Sequence, residues 1–341
     1  MGVVLSKKKL TSFQIIIIGF SSVILLGTLL LMLPISSRTG EFTSFADALF
    51  TSTSTVCVTG LIVFDTATYW SLFGQFVIML LIEIGGMGVI TVAASFAMIA
   101  GRKISLMQRS TMQEAIAAPK VGGIVRLTIF VIKATLMIEL LGAVAMSPVF
   151  CRDFGIKGLW MALFHSVSAF CNAGFDLMGV KSPFSSLTFY ADEPLINFPI
   201  MLLIIIGGIG FLTWDDIRAN RFHIHKYRMQ SKVIISTTAI LILIPALYFY
   251  FFEFSDLGLK ERIFSSLFQS VTPRTAGFNT VDLTSMSEAG QFITIILMLI
   301  GGSPGSTAGG MKTTTIAVLF AIAIATFRRR EDANFFGRRI N

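Results

Sequence analysis

Apolar residues fall in long blocks along the chain, and the blocks recur in a fixed internal order. An uncharged run over 13–33 is ended by Pro34. The 21 residues of this run reach ~31 Å as a helix, enough to cross the hydrocarbon core of a bilayer. A stretch interrupted by Asp47 follows, too short to span, and leads to the triplet Thr59-Gly60-Leu61. A long run over 72–100, with Glu83 its only charge, crosses back and meets a basic segment over 102–126. The second round is a span over 127–150, a short amphipathic piece over 158–170, the triplet Ala173-Gly174-Phe175 and an uncharged run over 195–214. A second basic segment carries Arg218, Arg221, Lys226, Arg228 and Lys232. The third round is a span over 233–252, a short piece over 261–271, the triplet Ala276-Gly277-Phe278 and an apolar run over 292–327 that stops at Arg328, Arg329 and Arg330.

Two landmarks keep the same order in each round. From Phe50, Phe164 and Phe268 to the triplet Gly the spacing is ten, ten and nine residues. Ile84-Gly85-Gly86, Ile206-Gly207-Gly208 and Ile300-Gly301-Gly302 then follow that Gly, the first Gly of each pair coming 25, 33 and 24 residues later. Each round therefore reads as outward helix, re-entrant loop, inward helix, with all units in one orientation, as expected for parallel repeats about an axis along the membrane normal. The predicted fold is all-α and integral to the membrane, with three helix/pore-loop/helix repeats over 1–118, 119–230 and 231–341 and six spans. The Gly pairs read as small-residue contacts that let helices approach closely.

Charge sets the orientation. The four segments on the N-terminal side hold eighteen Lys and Arg, and the opposite side holds seven. By the positive-inside rule both termini are cytoplasmic and the Gly triplets lie in the outer half of the membrane. The net charge of +8 is thus divided between two membrane faces rather than gathered on a nucleic-acid surface, and 54% hydrophobic residues place the chain outside the soluble classes. Cys57, Cys151 and Cys171 form no CxxC spacing and read as small apolar residues in packed loops. No nucleophile and base pair, metal-ligand cluster or phosphate loop is visible, which argues against an enzyme.

Non-helical backbone at membrane depth is tolerated where it is buried in protein or lines a water-filled cavity. A short helix that turns back at a Gly implies such a passage, with carbonyls replacing a cation's hydration shell and the helix C-terminus adding partial negative charge. The alternative for a single triplet is a plain turn in an outer loop; three in register favour the pore reading. Only the third inward helix is predicted to break, because Gly301, Gly302, Ser303, Pro304, Gly305, Ser306, Thr307, Gly309 and Gly310 crowd its middle. This segment, with Lys312 next to it, reads as a mobile constriction whose hydroxyls face water or ions, or as a static kink. Arg274, three residues before Gly277, is expected to brace the loop from behind by binding carbonyls or a carboxylate. Glu83, Lys133 and Glu139 are intramembrane charges that need partners elsewhere, and His165, His223 and His225 read as structural or solvated.

The strings Val58-Thr59-Gly60-Leu61, Phe170-Cys171-Asn172-Ala173-Gly174-Phe175, Val271-Thr272-Pro273-Arg274-Thr275-Ala276-Gly277-Phe278 and the glycine-rich segment over 301–312 resemble the Trk/Ktr/HKT superfamily of potassium transporters. With no extra helices before the first repeat, the chain looks most similar to the KtrB-type membrane subunit. The resemblance implies a potassium-channel-like fold, a filter of Val58, Thr59, Gly60, Asn172, Ala173, Gly174, Thr275, Ala276 and Gly277, and a gating loop over 301–310. It implies potassium as the transported ion with sodium possible, no bound cofactor, a homodimer in the lipid of the cell membrane, a cytoplasmic nucleotide-binding regulatory subunit and no nucleic acid. Gly60, where some plant relatives have Ser, leans toward potassium. The resemblance also implies four repeats where this chain has three, so the expected reading is potassium uptake by a chain missing its fourth pore loop. Two others stand beside it: a truncated, non-conducting remnant, and a carrier with alternating access. The parallel rather than inverted repeats and an expected lack of a midplane carboxylate cluster argue against the carrier.

Overall fold

The computed structural model describes residues 11–99, 105–116, 122–221, 223–329, 334–336 and 338–339. Lys7, Lys8, Lys9, Arg102, Lys103, Lys120 and Arg330, and the repeat boundary expected between 118 and 119, lie outside them. The described chain is helical apart from a two-residue hairpin pairing Asn334–Phe335 with Arg338–Arg339.

Helix α1 (Ser12–Met32) starts on a capping box, in which Thr11 Oγ1 accepts from Gln14 N and Gln14 Oε1 accepts from Thr11 N. Short α2 (Phe45–Val56) starts at Ser44, whose hydroxyl caps Asp47 N. One turn, α3 (Thr66–Tyr69), leads to α4 (Leu72–Met87), α5 (Val89–Ile99) and α6 (Leu106–Ile116). Then come α7 (Ile124–Phe154), short α8 (Lys157–Phe170), α9 (Pro194–Gly208) and α10 (Phe211–Asn220). The last group is α11 (Met229–Tyr248), extended by a π turn at Phe249–Glu253, then short α12 (Leu259–Val271), α13 (Glu288–Leu299) and α14 (Thr313–Phe327).

Three helices are long and apolar enough to cross a membrane unaided: Ser12–Met32, Ile124–Phe154 and Met229–Glu253. These are the three outward runs of the sequence. The inward runs correct the expectation that only the third would break, because all three do. The first is interrupted at Gly88 (φ 82°, ψ 127°) and the second at Gly210 (φ 88°, ψ 143°), where α9 and α10 meet at 97°. Both glycines adopt a conformation that a side chain strains, and both end the string Ile-Gly-Gly-x-Gly. The third run opens into the irregular segment between α13 and α14.

Small residues set how closely these elements approach. A Cβ on Gly27 of α1 would lie 2.5 Å from Ser52 Oγ and 2.7 Å from a Leu81 methyl; one on Gly142 of α7 would lie 2.6 Å from Ser166 Oγ and 2.7 Å from a Leu203 methyl. The same serines donate to the long helices, Ser52 to Ile24 O at 2.7 Å and Ser166 to Glu139 O at 2.6 Å. One long helix, one short helix and one inward helix thus meet through the same contact twice.

The Ile-Gly-Gly pairs follow the same logic. Gly85 makes room for Val56 O and Gly207 for Phe170 O, the last helical carbonyls of α2 and α8. At Gly301 the space is taken instead by Gly309 O, a carbonyl of the irregular segment itself. The small-residue reading therefore holds for the first two pairs, and the third differs because the chain folds back on its own helix.

Candidate functional site

The three triplets share an uncommon backbone. Gly60, Gly174 and Gly277 have φ of 80°, 71° and 87°, and the residues two before them, Val58, Asn172 and Thr275, have φ of 54°, 57° and 74°. Asn tolerates this region, but a β-branched residue with positive φ costs about 1–3 kcal/mol and persists only when its surroundings impose it. After α2, Val58 N donates to Thr55 O at 3.2 Å and Thr59 N to Ser54 O at 2.8 Å; after α8, Asn172 N donates to Ala169 O at 3.1 Å and Ala173 N to Ser168 O at 2.8 Å. This is the Schellman pattern, which usually places Gly where these two loops carry Val58 and Asn172. The third loop is a residue shorter and leaves α12 differently, with Ala276 N and Gly277 N both donating to Thr272 O.

The loops converge. A Cβ on Gly60 would lie 2.6 Å from Ala173 O, and one on Gly174 would overlap Ala276 O. The carbonyl before the Gly of one loop therefore faces the Gly of the previous loop. Gly277 has only Gly174 Cα near its own Cβ position, at 3.7 Å, and is exposed. The loops run first, second, third, with open space beyond the third.

The segment between α13 and α14 is pinned at both ends. Ile300 and Met311 form a bridge, and Thr313 N donates to Gly302 O at 3.1 Å. Its tip docks on the second inward helix. Ser303 N donates to Gly208 O at 2.9 Å, Thr307 N to Gly207 O at 3.2 Å, and Phe211 N to Gly305 O at 2.8 Å. Thr307 Oγ1 donates to Phe170 O at 3.0 Å and accepts from Asn172 Nδ2 at 2.9 Å, joining the segment to the second triplet. Gly310 approaches the third, its Cβ position 3.5 Å from the Thr275 methyl. The hydroxyls expected to face water or ions are engaged within the protein: Ser303 Oγ is 3.0 Å from Thr313 Oγ1, and Ser306 Oγ donates to Ser303 O at 2.6 Å. Lys312 Nζ donates to Ala308 O at 2.8 Å.

Expectations change at Glu83, Glu139 and Cys57, while His165 keeps its structural reading. Arg274 is 5% exposed, its Nε has no hydrogen-bond partner, and no carboxylate among the described residues pairs with it. An acidic cluster that was not expected exists: one ligand atom each from Glu83, Glu139 and Cys171 lie within 4.8 Å of one another. Glu139 thus faces Glu83 rather than a lysine, and of the two arguments against a carrier only the parallel repeats remain. Cys171 is buried in this cluster, whereas Cys57, its counterpart after α2, is exposed. His165 is fully buried, with Nδ1 2.7 Å from Met161 O and Nε2 accepting from Leu177 N at 3.3 Å, a neutral ring locking α8 to the chain after the second triplet.

Sequence reasoning missed the lock above the triplets. Asp65 accepts from Ala67 N, Thr68 N and Thr68 Oγ1 in its own loop and from Phe184 N, at 2.9 Å, in the loop after Gly174. Asp176 Oδ1 accepts from Met178 N at 2.8 Å beside it. Burial, and after it the Asp65 charge, push Asp176 up to about 6. A carboxyl raised on folding stabilises the native state fully below its unfolded value of about 3.9, and that contribution is lost as pH rises through the folded value. Thermal unfolding in detergent is expected to show stability falling between about pH 4 and 7, with a shallower fall in Asp176→Asn. An unchanged slope would assign the effect to other groups.

Known proteins resemble this chain in sequence and in fold. The chain is 44% identical over 341 residues to the potassium/sodium uptake protein NtpJ of Enterococcus hirae, with 98% of this chain and 74% of that protein covered. It is 40% identical over 339 residues to the Ktr system potassium uptake protein B of Bacillus subtilis, covering 97% and 74%. The crystal structure of the potassium transporter TrkH from Vibrio parahaemolyticus shares the fold, with a TM-score of 0.72 at 20% identity over 98% of this chain and 67% of that one. The family model described as TrkH, cation transport protein, matches residues 6–341. Converging glycine loops on a multi-pass helical scaffold, and relatives that are transporters rather than enzymes, lead to one conclusion: the chain belongs to the TrkH family of cation transport proteins.

Proposed function

We propose that this chain takes part in potassium uptake, passing the ion through a channel-like filter whose oxygen ligands are backbone carbonyls of the Gly60, Gly174 and Gly277 loops. One observation carries this reading: positive φ at each Gly and two residues before it, in three loops that touch through carbonyl and Gly Cα. Such a path needs no carboxylate, and the C-termini of α2, α8 and α12 run into it with their partial negative charge. Glu83 and Glu139 bear on the carrier alternative, but Glu139 is 3% exposed while Thr59 and Gly277 are exposed, so the acids lie behind the loops.

In this proposal the segment over 301–310 is the gate, and its bonds to Asn172 and Phe170 couple it to the second loop. A fourth pore loop fills the open side beyond Gly277. Both termini are cytoplasmic, the assembly is a homodimer, and a nucleotide-binding ring on the cytoplasmic side regulates it, as the resemblance implies.

The test is cation uptake by bacteria lacking their own potassium uptake. Cells expressing the chain joined to a fourth pore-loop segment after residue 341 are expected to accumulate potassium in preference to sodium. The three-loop chain alone is expected to restore little growth. Uptake absent from both forms would support a non-conducting remnant, and full rescue by three loops would remove the need for a fourth.

A further inference from the structure

The ends of α7, α10 and α11 on the basic side of the protein enclose a cavity of ≈ 630 Å³, within the size range of small-molecule pockets. Arg126, Arg218 and Arg228 line it against one carboxylate, Asp215. The arginines are held differently. Arg228 Nη2 lies 3.3 Å from Asp215 Oδ2 while its backbone N–H donates to Asp216 Oδ2 at 2.7 Å. The Arg218 guanidinium lies over the Phe130 ring, 4.6 Å from its centroid. Arg126 is exposed, with no hydrogen bond or ion pair to a described residue. One acid cannot neutralise three guanidinium groups, so the cavity carries excess positive charge. Its other wall is apolar, formed by Leu127 and Phe130 of α7, a helix long and apolar enough to continue across a membrane, and by Leu212 of α10.

We propose that this cavity binds the phosphodiester head group of an anionic phospholipid of the cytoplasmic leaflet, with an acyl chain against Leu127, Phe130 and Leu212. The cytoplasmic placement rests on the distribution of basic residues argued above. A guanidinium fork matches two phosphate oxygens at once, and the cytoplasmic leaflet supplies anionic lipid where helix ends emerge. A free phosphate offers the same oxygens but nothing to the apolar wall. Occupancy would also bear on the gate, because the lipid would tie α7 to α10, whose first residue, Phe211, holds Gly305 O.

The experiment counts lipids retained by the purified full chain in native mass spectrometry, after exchange from nanodiscs of phosphatidylcholine containing phosphatidylglycerol. Preferential retention of phosphatidylglycerol is expected, weakened about tenfold, or about 1.4 kcal/mol, in Arg126→Gln. Arg126 is exposed and has no hydrogen bond or ion pair to lose among the described residues, so this variant should fold normally; an unchanged melting temperature in phosphatidylcholine alone checks that. Arg126→Gln/Arg218→Gln is expected to abolish the preference. Equal retention of both lipids, or unchanged preference in the double variant, overturns the proposal. Inorganic phosphate competing as well as phosphatidylglycerol, at equal concentration, also overturns it and leaves a free-anion site.

Discussion

Replacing Gly174 with Ala is expected to abolish potassium uptake while leaving the protein folded. The new methyl group would overlap Ala276 O, a backbone atom of the adjoining loop that cannot rotate away as a side chain can. Two costs can be compared. Ala with φ near 71° costs roughly 1–2 kcal/mol, which a large membrane protein tolerates. The overlap is the larger effect, because relieving it displaces a carbonyl that the proposed filter uses as a ligand. The other glycines provide a graded control. Gly60→Ala meets Ala173 O at 2.6 Å and is expected to be nearly as damaging. Gly277→Ala meets only Gly174 Cα at 3.7 Å, so it carries the backbone strain without the overlap and should retain more flux. Rubidium uptake by the four-loop form, with size-exclusion profiles as the folding check, reads the order. Equal loss at all three positions would point to backbone strain as the cause.

Gly207→Ala is expected to destabilise the protein strongly, whereas Gly208→Ala, one residue on, is expected to be neutral or slightly stabilising. A Cβ on Gly207 would overlap Phe170 O and come within 2.8 Å of Thr307 Oγ1 and 3.0 Å of Asn172 Nδ2, where α9, α8 and the glycine-rich segment meet. Overpacking of this kind costs typically 1–3 kcal/mol and more where backbone is opposed, which for a chain of this length is roughly 1–4 °C or more in melting temperature. Gly208 has nothing within 4 Å of its Cβ position and lies in a helix, where Ala is better than Gly by about 0.5–1 kcal/mol. Thermal unfolding of the two variants in one detergent therefore gives opposite signs. Similar melting temperatures would mean that the segment yields rather than resists.

Much of this arrangement is legible in the chain. The runs ended by Pro34 and by Arg328 mark spans because apolar transfer is additive along a helix and needs no knowledge of neighbours. The Gly triplets and Ile-Gly-Gly pairs mark close backbone approach because only Gly permits it. The breaks at Gly88 and Gly210 were legible too, as Ile-Gly-Gly-x-Gly, but each is a single Gly in an apolar run and was read through. The positive φ of Val58 and Thr275 was not legible, since no local preference favours it there. Nor was the meeting of Glu83 with Glu139 and Cys171, or the unpartnered Nε of Arg274, because side chains far apart in sequence are brought together or kept apart only by packing.

The sequence by itself determined the class of the protein, its three long apolar helices, its basic segments and the three Gly triplets where the backbone turns. Each of these follows from local chemistry: the transfer cost of a side chain, the missing Cβ of Gly, the missing N–H of Pro. Tertiary structure alone decided that the three loops adjoin in order, carbonyl to glycine, and that the third inward helix packs its own loop where the first two admit a short helix. It also joined Thr307 to Asn172 across 135 residues. Such contacts depend on which surfaces remain free once the long helices have packed, and no local preference records that.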